Sequence, residues 1–183
     1  MSTVFRFTPE NQKKIKQILA KYPKERAQSA VMPLLDLAQA QLGWISSPVM
    51  ETVAELLKMP VIRVHEVASF YSMYRLQPVG KTVINVCTTT PCWLRGSDDI
   101  LAVCKRKLGL KPGETKNDIS VFEVQCLGGC VNAPLVQINS VYVEDLNTQR
   151  FEAVIDSLHA GNPVTQGSTL GRMGSEPYKG ENQ

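Results

Sequence analysis

The sequence predicts an α+β protein in two folded parts. A small helical bundle spans residues 1–79, a sheet flanked by helices spans 80–160, and an extended tail covers 161–183. Three observations carry this reading. Before residue 79, apolar side chains recur at spacings of three and four, the period of a helix with one buried face. Gln77-Pro78-Val79-Gly80 is a turn signal. Beyond it the chain turns to short β-branched runs separated by single helices.

The helical half is justified element by element. Thr8-Pro9-Glu10 reads as an N-cap, a first-turn proline and an acid that suits the helix dipole. Ile15, Ile18, Leu19 and Tyr22 then form one face, and Pro23 ends the helix. Ser29 is expected to cap a second helix, with Pro33 in its first turn, Leu34, Leu35, Leu37, Ala38 and Leu42 on its apolar side, and Gly43 just past its end. Ser47-Pro48 opens a third helix, with Met50, Val53, Leu56 and Leu57 as its stripe and Pro60 as its stop. A fourth, shorter helix is expected over Arg63–Ser72, carrying Val64, Val67, Phe70 and Tyr71.

The second half begins with Lys81–Val86, a strand ending at Cys87. Ser97-Asp98-Asp99 is expected to cap a helix running to about Leu108, closed by Lys111-Pro112-Gly113. Ile119–Val124 alternates as a strand and leads to Cys126. Leu135–Asn139 and Val141–Val143 make a hairpin around Ser140. Asn147 caps a last helix with Phe151, Val154, Ile155 and Leu158 at ideal spacing. The order β, α, β, ββ hairpin, α suits a thioredoxin-like sheet. From Gly161 onward the chain is rich in Gly, Pro, Ser, Asn and Gln, with isolated Val164, Leu170, Met173 and Tyr178. That composition reads as a disordered tail or as an arm that orders on a partner.

Composition narrows the function. The 183 residues are 43% apolar and 20% charged, which is enough to bury a core. A net charge of +3 is too small an excess for a nucleic-acid binder. No apolar run approaches the roughly 18 residues that span a bilayer. Residues Met1–Lys16 have neither the apolar stretch of a secretory signal nor the look of a transit peptide. The chain is expected to be soluble, with any membrane link made through partners.

Chemistry resides in the cysteines. Cys87 and Cys92 have four residues between them, Cys126 and Cys130 have three, and 33 residues separate the pairs. Each pair follows a predicted strand, so neighbouring strands would bring four thiolates together. The spacing favours a [2Fe–2S] cluster, whose two irons each take two thiolates. It leaves open a structural zinc site, which more often uses tighter knuckles, and no metal at all. Pro91 is expected to hold Thr90 extended in the first loop. Leu127-Gly128-Gly129 in the second can bring backbone N–H groups close to sulfur. Such donors matter because the oxidised cluster with its thiolates is an anion that reduction makes more negative. Arg95, the nearest cation in sequence, reads as a surface arginine, with stabilisation of the reduced form as the alternative. Cys104 falls on an apolar helical stripe with Ile100 and Leu108 and reads as a small buried hydrophobe. His65 and His159 have no partner motif, which argues against a centre with histidine ligands. No dinucleotide fingerprint, P-loop or nucleophile elbow is present.

Two stretches then carry a specific resemblance. Val86–Cys92 (VCTTTPC) followed by Leu94-Arg95-Gly96-Ser97, and Glu123–Pro134 (EVQCLGGCVNAP), resemble the small iron–sulfur subunit of the NADH dehydrogenase module of respiratory complex I, the 24-kDa type. Ala68–Tyr74 and Gln77–Gly80 match the segment entering its ferredoxin domain, and the resemblance runs from about Phe7 to Leu158. It implies a helical domain followed by a thioredoxin-like [2Fe–2S] ferredoxin domain, with Cys87, Cys92, Cys126 and Cys130 as cluster ligands and no catalytic residue of its own. It also implies two partners: a flavoprotein subunit that holds FMN and the NADH site, and the large iron–sulfur subunit. Gly129 stands where the family often has alanine, a change that removes no ligand. The resemblance implies a peripheral place on the cytoplasmic side of a bacterial inner membrane, or on the matrix side of the mitochondrial one. Related assemblies, NAD-linked hydrogenases and formate dehydrogenases, are the alternative setting; a zinc-stabilised assembly module is the non-redox one.

Overall fold

A six-residue strand, β1 (Thr82–Cys87), lies at the centre of the second half of the molecule. The structure, a computed structural model, describes residues 4–174. Met1 and Tyr178, named above from the sequence, lie outside the described residues. The chain divides into two units, Met1–Val79 and Gly80–Gln183.

The first unit is helical. Helix α1 (Pro9–Leu19) is capped by Thr8, whose hydroxyl accepts from the Asn11 N–H at 3.2 Å. Helix α2 (Val31–Leu42) ends at Gly43 in the left-handed conformation, φ 91°. Helices α3 (Ser47–Leu57) and α4 (Val61–Phe70) follow. Their buried sides meet in one core of Leu34, Leu35, Val49, Val53, Leu57 and Val64. Two details differ from the sequence reading. Ser29 caps nothing: Lys24–Ala30 is a 3-10 helix that runs into α2, and Val31 N–H donates to Gln28 O. The turn itself satisfies a donor that the hydroxyl was expected to take. Helix α4 starts at Val61 because Pro60, held at φ −60° and ψ 138°, serves as its N-cap, and it stops at Phe70 because Tyr71 is extended.

The second unit is built on a six-stranded sheet. Helix α5 (Thr90–Leu94) and helix α6 (Ser97–Val103) follow β1. Then come β2 (Thr115–Lys116), β3 (Ile119–Val124), the hairpin β4 (Val136–Ile138) and β5 (Val141–Glu144), helix α7 (Thr148–His159) and β6 (Gly167–Ser168). The spatial order is β2-β3-β1-β4-β5-β6. β1 runs parallel to β3 and antiparallel to β4. Ile84, Val86, Ile100, Val103, Phe151 and Ile155 are buried together as its core. Asn147 caps α7 as the sequence indicated, accepting from Arg150 N–H at 2.8 Å.

Helix α6 departs from expectation at both ends. Gly96, at φ 98°, occupies the N-cap position, and Ser97 lies inside the helix with a buried hydroxyl that has no partner among the described residues. After Val103 the backbone widens into a π-helix, Cys104–Leu108, before Gly109 turns it out. The Gly/Pro-rich segment after Gly161 also differs from a free tail over its described part. β6 pairs with β5 through Val143↔Gly167 and Glu144↔Ser168, and Val164 packs on the core. A two-residue strand carries too little alternation to be read from sequence.

Candidate metal centre

Parallel pairing of β1 with β3 places Cys87 opposite Val124, so both cysteine loops leave the same end of the two strands. In sheets of this kind, the carboxyl ends of adjacent strands are where ligands are held. Beyond β1 the ladder continues with Thr88 N–H donating to Val124 O at 3.3 Å. The Thr88 hydroxyl donates to Glu123 at 2.8 Å. These contacts fix the first loop against the second strand.

The first pair is buried. Cys87 closes β1 and Cys92 sits in α5, walled by Ala133, Leu135, Leu127 and Tyr142. Here the structure corrects one expectation. Thr89, not Thr90, is the extended residue (φ −71°, ψ 167°). Thr90 starts α5, and Pro91 falls in the first turn, where its missing donor costs nothing. The second pair is exposed. Cys126 follows β3 by two residues, and Cys130 opens the 3-10 turn Cys130–Asn132. Their sulfurs are 3.3 Å apart. Gly128, at φ 85°, turns its N–H to within 3.4 Å of the Cys126 sulfur. This is the use of the glycines that the sequence indicated.

The thiols divide into one easily ionised and one resistant member in each pair. Burial pushes Cys87 up, but hydrogen bonds from Thr89 and from Leu127 N–H outweigh it and bring the thiol below its ordinary range. Burial, then the hydrogen bond to Cys87, pushes Cys92 up. The Gly128 N–H, then the Cys130 thiol, holds Cys126 low. Cys130 is raised chiefly by that same bond to Cys126. Electrostatic interactions of Cys87 with Cys126 and of Cys92 with Cys130 show that the two pairs share one neighbourhood. One pair lies at the end of β1 and in α5, and the sulfurs of the other meet at 3.3 Å, so the donors are arranged two and two. That suits a dinuclear cluster with two thiolates per iron better than one tetrahedral zinc.

Cys104 is apart from this group. It is buried in the core of the second unit, and burial pushes its thiol up to about 12. Arg95 is exposed beside a cleft of about 400 Å³ that Pro91, Leu94, Cys130, Val131 and Arg172 also line. His65 lies in α4, in the first unit, and His159 ends α7.

Sequence reasoning missed three residues. Thr89 was one of three threonines and nothing marked it out. Asn132 is fully buried next to the second loop and donates to Glu144 at 2.8 Å. Its place in a compact Cys130–Pro134 run was the available signal. Arg172 reaches this loop from the tail, where composition gave no sign of it.

The model of the thioredoxin-like [2Fe-2S] ferredoxin family matches residues 15–159. The chain is 55% identical over 159 residues to an NADH-quinone oxidoreductase subunit of Rickettsia bellii, covering 85% of this chain and 95% of that one. It is 44% identical over 182 residues to the mitochondrial NADH dehydrogenase [ubiquinone] flavoprotein 2 of Dictyostelium discoideum, covering 98% and 74%. Among solved structures, an NAD+-reducing [NiFe]-hydrogenase in the air-oxidized state superposes with a TM-score of 0.64 at 20% identity. That superposition covers 73% of this chain and 23% of the hydrogenase chain, and is a likeness of fold. A match over most of the chain and a relative above half identity lead to one conclusion: the chain belongs to the thioredoxin-like [2Fe-2S] ferredoxin family.

Proposed function

We propose that Cys87, Cys92, Cys126 and Cys130 ligate one [2Fe–2S] cluster, and that the chain is the electron-transfer subunit of an NADH:quinone oxidoreductase. The observation that carries this is the two-and-two arrangement of thiols on loops leaving neighbouring parallel strands, with the Gly128 N–H directed at the Cys126 sulfur. When bound, the cluster supplies one-electron chemistry. The protein's part is to keep the Cys87 side dry, to present the Cys126 side to its surroundings, and to offer donors that favour added negative charge.

NADH gives up its electrons as a hydride, whereas a cluster of this kind takes one electron. A flavin must stand between them. This chain carries no nucleotide fingerprint, so FMN and NADH belong to a partner flavoprotein subunit. The large iron–sulfur subunit is the second partner. No helix among the described residues is long and apolar enough to cross a membrane, and the assembly supplies the membrane link. Its site is the cytoplasmic side of a bacterial inner membrane, or the matrix side in a mitochondrion.

The test has two arms. The purified chain should hold about two irons and two acid-labile sulfides; one zinc and no sulfide would overturn the assignment. The chain alone should not oxidise NADH with an artificial acceptor, and adding the flavoprotein partner should create that activity. Robust NADH oxidation by the flavin-free chain would refute the division of labour.

A further inference from the structure

The segment from Ser168 to Met173 closes back over the second cysteine loop through one connected set of polar contacts. Arg172 Nη2 donates to Val131 O at 3.0 Å and to Asn132 Oδ1 at 2.5 Å. Its Nη1 meets Asp145 at 3.2 Å. Asn132 Nδ2 donates in turn to Glu144 and to Met173 O, each at 2.8 Å. Ser168 donates to the other Asp145 oxygen at 2.5 Å and accepts from Arg172 N–H at 3.1 Å. Asp145 N–H donates to Asn132 O at 2.8 Å. Asn132, Glu144 and Asp145 are all buried, with exposures of 0, 3 and 3%.

The placement of this set matters more than its size. Val131 and Asn132 are the two residues after Cys130, in the same 3-10 turn. The guanidinium therefore grips the backbone adjacent to a proposed ligand, and Arg172 and Cys130 line one cleft. Two buried carboxylates stand behind this turn, and Arg172 is the cation that meets one of them. In a poorly hydrated setting, such charges act on a neighbouring centre far more strongly than in water. A centre that becomes more negative on reduction is easier to reduce near a cation and harder near a bare carboxylate.

We propose that Arg172 is a positioning residue that clasps the Cys130–Asn132 turn and offsets Asp145, so that the 168–173 segment sets the reduction potential of the cluster. This rests on the four-thiol reading above. The segment thereby acquires a task on its own chain, independent of any partner.

The experiment compares the full chain with Arg172→Gln, Arg172→Lys and Asp145→Asn. Iron and sulfide content is measured first, then the midpoint potential by dye-mediated titration followed by electron paramagnetic resonance. Arg172→Gln should keep its iron and shift to a lower potential. Arg172→Lys, which keeps the charge, should stay closer to wild type. Asp145→Asn should shift the opposite way, to a higher potential. In the cluster-free chain, Arg172→Gln should also exchange the amide hydrogens of residues 130–132 several-fold faster. If Arg172→Gln fails to fold, Asp145→Asn decides alone: a higher potential supports the proposal, and an unchanged or lower one overturns it. Equal potentials across all the variants, or shifts of one sign for Arg172→Gln and Asp145→Asn, overturn it as well. Absence of iron and sulfide from the wild-type chain would instead defeat the four-thiol reading.

Discussion

The Thr89 hydroxyl lies 3.3 Å from the Cys87 sulfur and is among the groups that bring the Cys87 thiol below its ordinary range. It sits on the extended residue that precedes α5, two positions before Pro91 sets the helix.

Thr89→Val should keep the cluster and lower its potential, because a donor that favours the anionic sulfurs is lost without loss of volume. A net hydrogen bond contributes about 0.5–1.5 kcal/mol. For one electron, roughly 59 mV corresponds to a tenfold change in equilibrium. The shift should therefore be at most roughly 60 mV, and Thr89→Ser should recover most of it. A potentiometric titration showing no difference between Val and Thr would remove this hydroxyl from the account.

Ligands and bystander should separate cleanly on mutation. Alanine at Cys87, Cys92, Cys126 or Cys130 should abolish or cripple the visible absorption of the cluster. Cys104→Ala should leave it intact and cost about 1–2 kcal/mol, since a single buried sulfur is removed from the core. Absorption spectra and urea unfolding of the five variants measure both effects. Bleaching by Cys104→Ala alone would reverse the assignment.

Cys104 also sets a pH window. Its folded pKa, about 12, lies above the roughly 8.5 of an unfolded cysteine. A raised folded value favours the neutral form in the native state. Its contribution is complete below about 8.5 and is lost as pH climbs through about 12. Unfolding free energy should fall across that alkaline range, and Cys104→Val should flatten the fall. Denaturation at pH 8, 9.5 and 10.5 tests this.

How far the sequence could be read depended on the range of the interactions involved. The ends of β1 and β3 and the α7 cap were legible because each rests on local signals: β-branched runs, and an Asn three residues before the N–H that it accepts. The four thiols were legible because spacing alone brings them to two loops. Asn132 and Arg172 were not, because their meaning lies in partners up to 41 residues away, and Thr89 was not, because nothing in a run of three threonines says which hydroxyl meets Cys87. Ser29 and Ser97 misled because a capping residue competes with other ways of satisfying the same donors. A 3-10 turn won at Ser29, and a left-handed Gly96 won at Ser97.

Gly80 should be intolerant of any side chain. A Cβ there would stand 2.2 Å from the Asp118 carbonyl oxygen and 2.6 Å from Ile119 N, both backbone atoms. Gly80 N–H donates to the Ser120 hydroxyl at 2.8 Å, and Thr82 N–H to Asp118 O at 2.9 Å. Adding a methyl group must break this start of the β1–β3 pairing. Gly80→Ala should destabilise the second unit by about 3 kcal/mol, the upper end of the overpacking range. Thermal unfolding of the purified variant checks this.

The cluster-free chain should reveal the asymmetry of the thiols directly. Cys126 is exposed and held low by the Gly128 N–H, so more of it is thiolate at neutral pH than of a free cysteine. Thiolate is the reactive form. Cys130 is also exposed but is raised by its hydrogen bond to Cys126. Cys87 is low but buried, while Cys92 and Cys104 are buried and raised. After chelation under reducing conditions, iodoacetamide at pH 7 should therefore modify Cys126 first and Cys130 later. Cys87, Cys92 and Cys104 should react only as the fold opens. The Cys126 rate should reach half its maximum below the roughly 8.5 of an unperturbed cysteine. Peptide mass spectrometry across a pH series gives the order and the midpoint. Cys104 labelling ahead of Cys126 in the native chain would contradict the burial that separates the core thiol from the cluster site.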